Sequence, residues 1–167
     1  FSPDPNGRFR VSWHPKPEHR NKFVTERNGR KSPANTHVGV GGVDSYDLDQ
    51  TVDGRGSKGA MHLYNKFNMQ APSNMFILEY ASRPDLAAIF YEDCLMAAFY
   101  YGYPLLIENN KYGIARYFEK RGYDNYLLDR PSHLSSASAR VKVRTKGVPS
   151  NSVDMIQSHA QAIEAYI

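Results

Sequence analysis

One short run constrains this chain more than any other. Leu105-Leu106-Ile107 is wholly apolar and leads directly to an acid, Glu108. Such a run suits a central strand covered on both faces. A second run has the same form: Val38-Gly39-Val40-Gly41-Gly42-Val43 ends at Asp44. Its glycines permit close approach of another backbone. Side chains at strand ends project into the crevice where α/β folds build their sites. The two acids are therefore the first candidates for chemistry.

The remaining elements fall around these two strands. Arg8 to Trp13 alternates polar and apolar and reads as a short strand, whereas His14 to Asn35, with Pro15, Pro17, Gly29 and Pro33, reads as a long loop or arm. Residues 60–67 and 75–80 read as strands joined by a turn around Pro72. Pro84 is expected to open a helix whose buried stripe is Leu86, Phe90, Cys94, Ala97 and Tyr101, ended by Gly102 and Pro104. A second helix is expected over 112–120, closed by Gly122. Tyr126-Leu127-Leu128 is a fifth strand candidate, residues 132–139 a Ser/Ala-rich loop, and 139–146 an extended segment. Ser152 can cap a last helix with Val153, Ile156, Ala160, Ile163 and Ile167 as its buried stripe.

The order is three strands, helix, strand, helix, strand, helix. That pattern predicts an α/β chain: a mixed sheet, with three antiparallel strands and then alternating helix and strand, flanked by helices. It is the order of a ribonuclease H-like fold. Residues 1–37 are expected to form an N-terminal strand and basic arm, and 38–167 the main domain.

At 167 residues and 41% apolar, the chain is long enough for one domain with a real core. No apolar run approaches the roughly 20 residues of a membrane helix. A single cysteine, Cys94, excludes an internal disulfide framework and a multi-cysteine zinc site. The start at Phe1 shows no basic-then-apolar leader, and the expectation is a fragment that is not secreted. The net charge of +4 is unevenly spread. Residues 1–37 carry eight Lys/Arg against three Asp/Glu, 38–139 nine against twelve, and 140–167 four against two. An acidic centre between basic flanks suits a metal-holding site with polyanion-binding surroundings, and equally a solvated surface.

Carboxylates at 44 and 108 are hard oxygen ligands suited to Mg²⁺ or Mn²⁺. Either acid alone reads as readily as a solvated or capping carboxylate. Asp47, Asp49 and Asp53 could add a ligand, but the turn-stabilising reading is favoured. Glu79 could face the same site, but the cross-strand ion-pair reading is favoured. Arg140, Lys142, Arg144 and Lys146 alternate with Val141, Val143 and Thr145, which in a strand puts four cations on one face. That suits a phosphate backbone, or a charge-protected edge strand. His19, Arg20, Lys22, Arg27, Arg30 and Lys31 form a weaker basic group in the arm. The segment 39–44 is no dinucleotide loop, since Asp44 stands where a third glycine belongs and no helix follows.

Three segments together carry a resemblance: Gly42-Val43-Asp44-Ser45-Tyr46-Asp47, Leu78-Glu79-Tyr80-Ala81-Ser82-Arg83-Pro84, and Leu106-Ile107-Glu108-Asn109-Asn110 with Gly113-Ile114 and Tyr117-Phe118. They resemble the C-terminal nuclease domain of a tailed-bacteriophage terminase large subunit, the DNA-packaging motor, over about residues 8–167. The resemblance implies a ribonuclease H-like fold and a metal-dependent endonuclease that cleaves double-stranded viral DNA during packaging. It implies Asp44 and Glu108 as catalytic metal ligands, Mg or Mn in a two-metal site of the complete domain, and a basic hairpin at Arg140 to Lys146 that guides DNA. It further implies an ATPase motor domain in the same full-length chain, portal and small-subunit partners, no membrane, and the cytoplasm of an infected bacterium. The family's third acid lies on or near a late helix. Here the only Asp in that stretch, Asp154, reads better as a helix-dipole residue, so the third ligand is expected beyond Ile167. A non-catalytic ribonuclease H-like docking or DNA-binding module, and a resolvase- or integrase-like nuclease of the same fold, remain open alternatives.

Overall fold

A computed structural model describes residues 2–47, 56–68, 72–131, 145–149 and 153–166. Five strands form one mixed sheet in the order β1-β6-β5-β4-β7. These are β1 (Phe9–Val11), β4 (Gly39–Asp44), β5 (Gly59–Asn65), β6 (Met75–Ser82) and β7 (Leu105–Ile107). β4, β5 and β6 form an antiparallel meander, while β7 joins β4 in parallel, with Val43 opposite Ile107. The α/β class and mixed sheet agree with the expectation. β1 pairs with β6 and so extends the same sheet.

One face of the sheet carries the core. α1 (Ala87–Tyr101) lies on it and buries Phe90, Cys94, Ala97 and Tyr101 of the expected stripe. Phe90 stacks on Tyr80 with ring centroids 5.1 Å apart. Two glycines of β4 make this packing possible. A Cβ on Gly39 would lie 2.1 Å from the Tyr103 ring, and one on Gly41 2.4 Å from a Leu105 methyl. A Cβ on Gly42 would meet nothing within 4 Å, because that residue alternates with Gly41 and faces the side opposite the core. The helix begins later than expected. Leu86 is its exposed N-cap residue and Pro84 precedes the first turn. At the other end Gly102 takes a left-handed φ of 68° and closes the helix on the Ala98 and Phe99 carbonyls.

Four further expectations change. The arm is not merely a loop: β2 (Phe23–Thr25) and β3 (Lys31–Pro33) pair as a hairpin. It docks through Lys31 Nζ to the Tyr123 hydroxyl (3.0 Å), Asn125 Nδ2 to Ser32 Oγ (3.0 Å), and an Arg30–Asp124 ion pair. β7 is not covered on both faces, since Leu105 and Ile107 are buried but Leu106 is only half-buried. The fifth strand candidate instead gives a 3-10 turn at Asp124–Tyr126, then single bridges from Leu127 to Leu105 and from Asp129 to Lys146. After α2 (Gly113–Lys120) the last helix, α3 (Val153–Tyr166), forms as expected, but its stripe is not buried. Val153, Ile156, Ala160 and Ile163 are exposed, and Met155 turns inward instead. Ser152 and Ile167 lie outside the described residues. Among the described residues, no helix is long and apolar enough to cross a membrane.

Candidate metal centre

The sheet reverses its pairing sense at β4, which is antiparallel to β5 and parallel to β7. Asp44 and Glu108 stand at the same end of the two parallel strands. The Glu108 amide donates to the Val43 carbonyl at 2.8 Å, which fixes the register. Equivalent positions on adjacent parallel strands share a face, so the two carboxyl groups meet and hydrogen-bond. Strand pairing thus does for residues far apart in sequence what a motif does for neighbours.

Such proximity has an electrostatic signature. The Asp44 carboxyl is pushed up from 3.8 to about 6. Loss of solvent at the strand end contributes most, followed by the hydrogen bond with Glu108 and by its negative charge, while Lys111 opposes the rise. A carboxyl raised by a second negative carboxyl beside it marks a site short of positive charge. Asp44 is nonetheless exposed and Glu108 half-buried, so a cation can reach them. Hard paired oxygens with a surplus of negative charge fit Mg²⁺ or Mn²⁺. Among the described residues no group of three or more His, Cys, Asp or Glu side chains comes together, and the donor set is a pair.

The loop after β7 holds the pair in place. Asn109 is buried; its amide N–H donates to the Val148 carbonyl and its side chain to the Lys146 carbonyl, both at 2.9 Å. Asn110 Nδ2 donates to Glu108 Oε1 at 2.7 Å. Lys111 Nζ reaches across to the Ser45 carbonyl at 2.9 Å. Sequence reasoning used Asn109 and Asn110 only as part of the resemblance and assigned none of the three a role; a further signal was the polar run Asn109-Asn110-Lys111 directly after an apolar strand and its acid.

The other candidates separate from this centre. Asp47 Oδ1 accepts from the Tyr91 hydroxyl at 2.8 Å, and both its oxygens face the Gly113 amide at 3.2 and 3.3 Å. It holds the start of α2, 66 positions away, rather than a turn within its own loop as expected. Glu79 shares the open sheet face through its His62 pairing, but forms an ion pair with Arg10 at 3.3 Å. Lys146 is tied internally, to Asp129 Oδ1 and to the Leu127 carbonyl, each at 2.8 Å. Its ammonium is therefore engaged within the chain rather than on an outward row of cations. Asp49, Asp53, Arg140, Lys142 and Arg144 lie outside the described residues, as does the side chain of Asp154. Compared with protein-family models, curated proteins and solved structures, the chain matches none.

Proposed function

We propose that this chain is a metal-dependent endonuclease domain of ribonuclease H-like fold that cuts double-stranded DNA, as its resemblance to terminase large subunits implies. The observation that carries the reading is the Asp44–Glu108 pair at the ends of adjacent parallel strands, short of positive charge and open to solvent. Asp44 and Glu108 are the residues that would hold a divalent cation. A cation bound there supplies Lewis-acid polarisation and a lowered pKa for attacking water. The chain's own part is positional. The β4–β7 register sets the spacing of the carboxyl groups, Asn110 fixes one Glu108 oxygen, and Asn109 anchors the loop that carries both.

On this reading the partners are duplex DNA, an ATPase motor domain of the same full-length chain, and the portal and small subunit of a packaging machine in an infected bacterial cell. Arg140, Lys142 and Arg144 remain the candidates for phosphate binding. The donor set of two among the described residues favours a second reading, a docking or DNA-binding module of the same fold that does not cut.

Calorimetric titration with Mn²⁺, followed by supercoiled-plasmid cutting, tests the proposal. Uptake of Mn²⁺ that is lost in Asp44→Asn and Glu108→Gln supports it, as does cutting, by this chain or by one extended to further acidic residues, that is lost in the same variants. Duplex binding without Mn²⁺ uptake or cutting supports the module instead.

A further inference from the structure

The residue that the metal reading leaves without a task is Lys111. It is half-buried, three positions after Glu108, and its ammonium donates to the carbonyl of Ser45, the residue after Asp44. It therefore bridges the two strand ends that carry the acids. An ammonium has three N–H donors, and the Ser45 carbonyl takes one. Its ammonium lies close enough for its charge to act on Asp44. A cation held beside two acids weakens the grip on a divalent ion. A reason to keep it there is an incoming anion.

Resting on the metal-dependent nuclease reading, we infer that Lys111 is a phosphate-binding residue of this site, its ammonium receiving a non-bridging oxygen of the phosphodiester brought to Asp44 and Glu108. A phosphodiester carries negative charge into a site that already holds two acids. A compact ammonium with spare donors offsets that repulsion and orients the group. The Ser45 tether limits the wandering of a long, flexible side chain, so less rotamer entropy is lost when the anion arrives.

This role has a signature that a purely structural lysine lacks: metal and DNA affinity should move in opposite directions. Lys111→Met and Lys111→Gln are compared with the unaltered chain. The glutamine variant keeps an N–H donor near the Ser45 carbonyl while dropping the charge and one atom of reach, and the methionine variant drops both the charge and the donor. Mn²⁺ binding is measured by calorimetry. Binding of a fluorescent duplex is measured by anisotropy at low salt with Ca²⁺ as the divalent ion. Removing a positive charge beside the pair should tighten Mn²⁺ binding by roughly threefold to tenfold. Without a charge-assisted hydrogen bond to phosphate, duplex binding should weaken by about tenfold. Lys111→Arg should keep duplex binding near its original value. Weakening of both affinities together in the glutamine variant, or unchanged duplex binding, overturns the inference and leaves Lys111 a tether. An unaltered chain that takes up no Mn²⁺ is a different failure: it removes the metal reading, and the Lys111 role falls with it.

Discussion

Glu108→Gln tests whether the two carboxyl groups oppose each other in the folded chain. Asp44 holds its proton up to about pH 6 when folded, against 3.8 for the ordinary group. The folded state therefore binds this proton more tightly than the unfolded state. The resulting stability is complete below about pH 3.8 and is lost as the pH rises through about 6. At about 1.36 kcal/mol per pH unit, the ceiling is about 3 kcal/mol. Asp44 is exposed, and screening by solvent reduces this to about 1 kcal/mol. Loss of solvent at the strand end persists in the variant, so only the part due to Glu108 disappears. The stability of the unaltered chain minus that of Glu108→Gln should fall by about 0.5 kcal/mol between about pH 4 and pH 7. Urea unfolding in EDTA, followed by circular dichroism at several pH values, measures this difference directly. Two pH profiles that run parallel across the interval would refute the reasoning, since no mutual repulsion would then be present.

Gly113→Ala should destabilise by about 1–3 kcal/mol in thermal or urea unfolding, because its Cβ would sit 2.4 Å from the Tyr91 hydroxyl and 2.5 Å from Asp47 Oδ1, where the start of α2 is held. Tyr80→Phe should cost about 1 kcal/mol by the same measurement, since the lost hydroxyl donates at 2.7 Å to Asp93, which also pairs with Arg8. Alanine at 140, 142 and 144 should flatten the salt dependence of duplex binding by roughly 0.9 log unit for each phosphate no longer neutralised. Lys146→Ala should leave that slope unchanged and lower stability instead, as its ammonium is tied to Asp129 and the Leu127 carbonyl.

Apolar content decided which parts of this fold were readable from sequence. β4, β5, β6 and β7 fall within a few residues of their expected limits, because their inward residues must be apolar to cover α1. The β2–β3 hairpin escaped because Phe23 and Val24 are exposed and polar bonds to residues 123–125 hold it. Periodicity correctly grouped Val153, Ile156 and Ile163 on one face of α3. It could not say that the face stays exposed among the described residues, because spacing shows which residues line up and not what covers them. The meeting of Asp44 and Glu108 was legible because both end apolar strands. Lys111 and Asn110 were not, since a polar residue in a loop carries no periodic signal, and its partner is decided by the register of distant strands.

The parallel pairing of β4 with β7 also governs when the centre can come into being. Lys111 and its Ser45 acceptor are 66 positions apart in the chain, with β5, β6 and α1 in between. Closing so long a segment costs entropy before any pairing repays it. The antiparallel meander pairs strands that are consecutive in sequence, but the carboxyl pair forms only once β7, beyond α1, has docked on β4. A cation that needs both acids therefore recognises the finished fold and draws the folding equilibrium toward it. Any substitution that loosens β7, however far from Asp44, should be read out as weakened cation affinity.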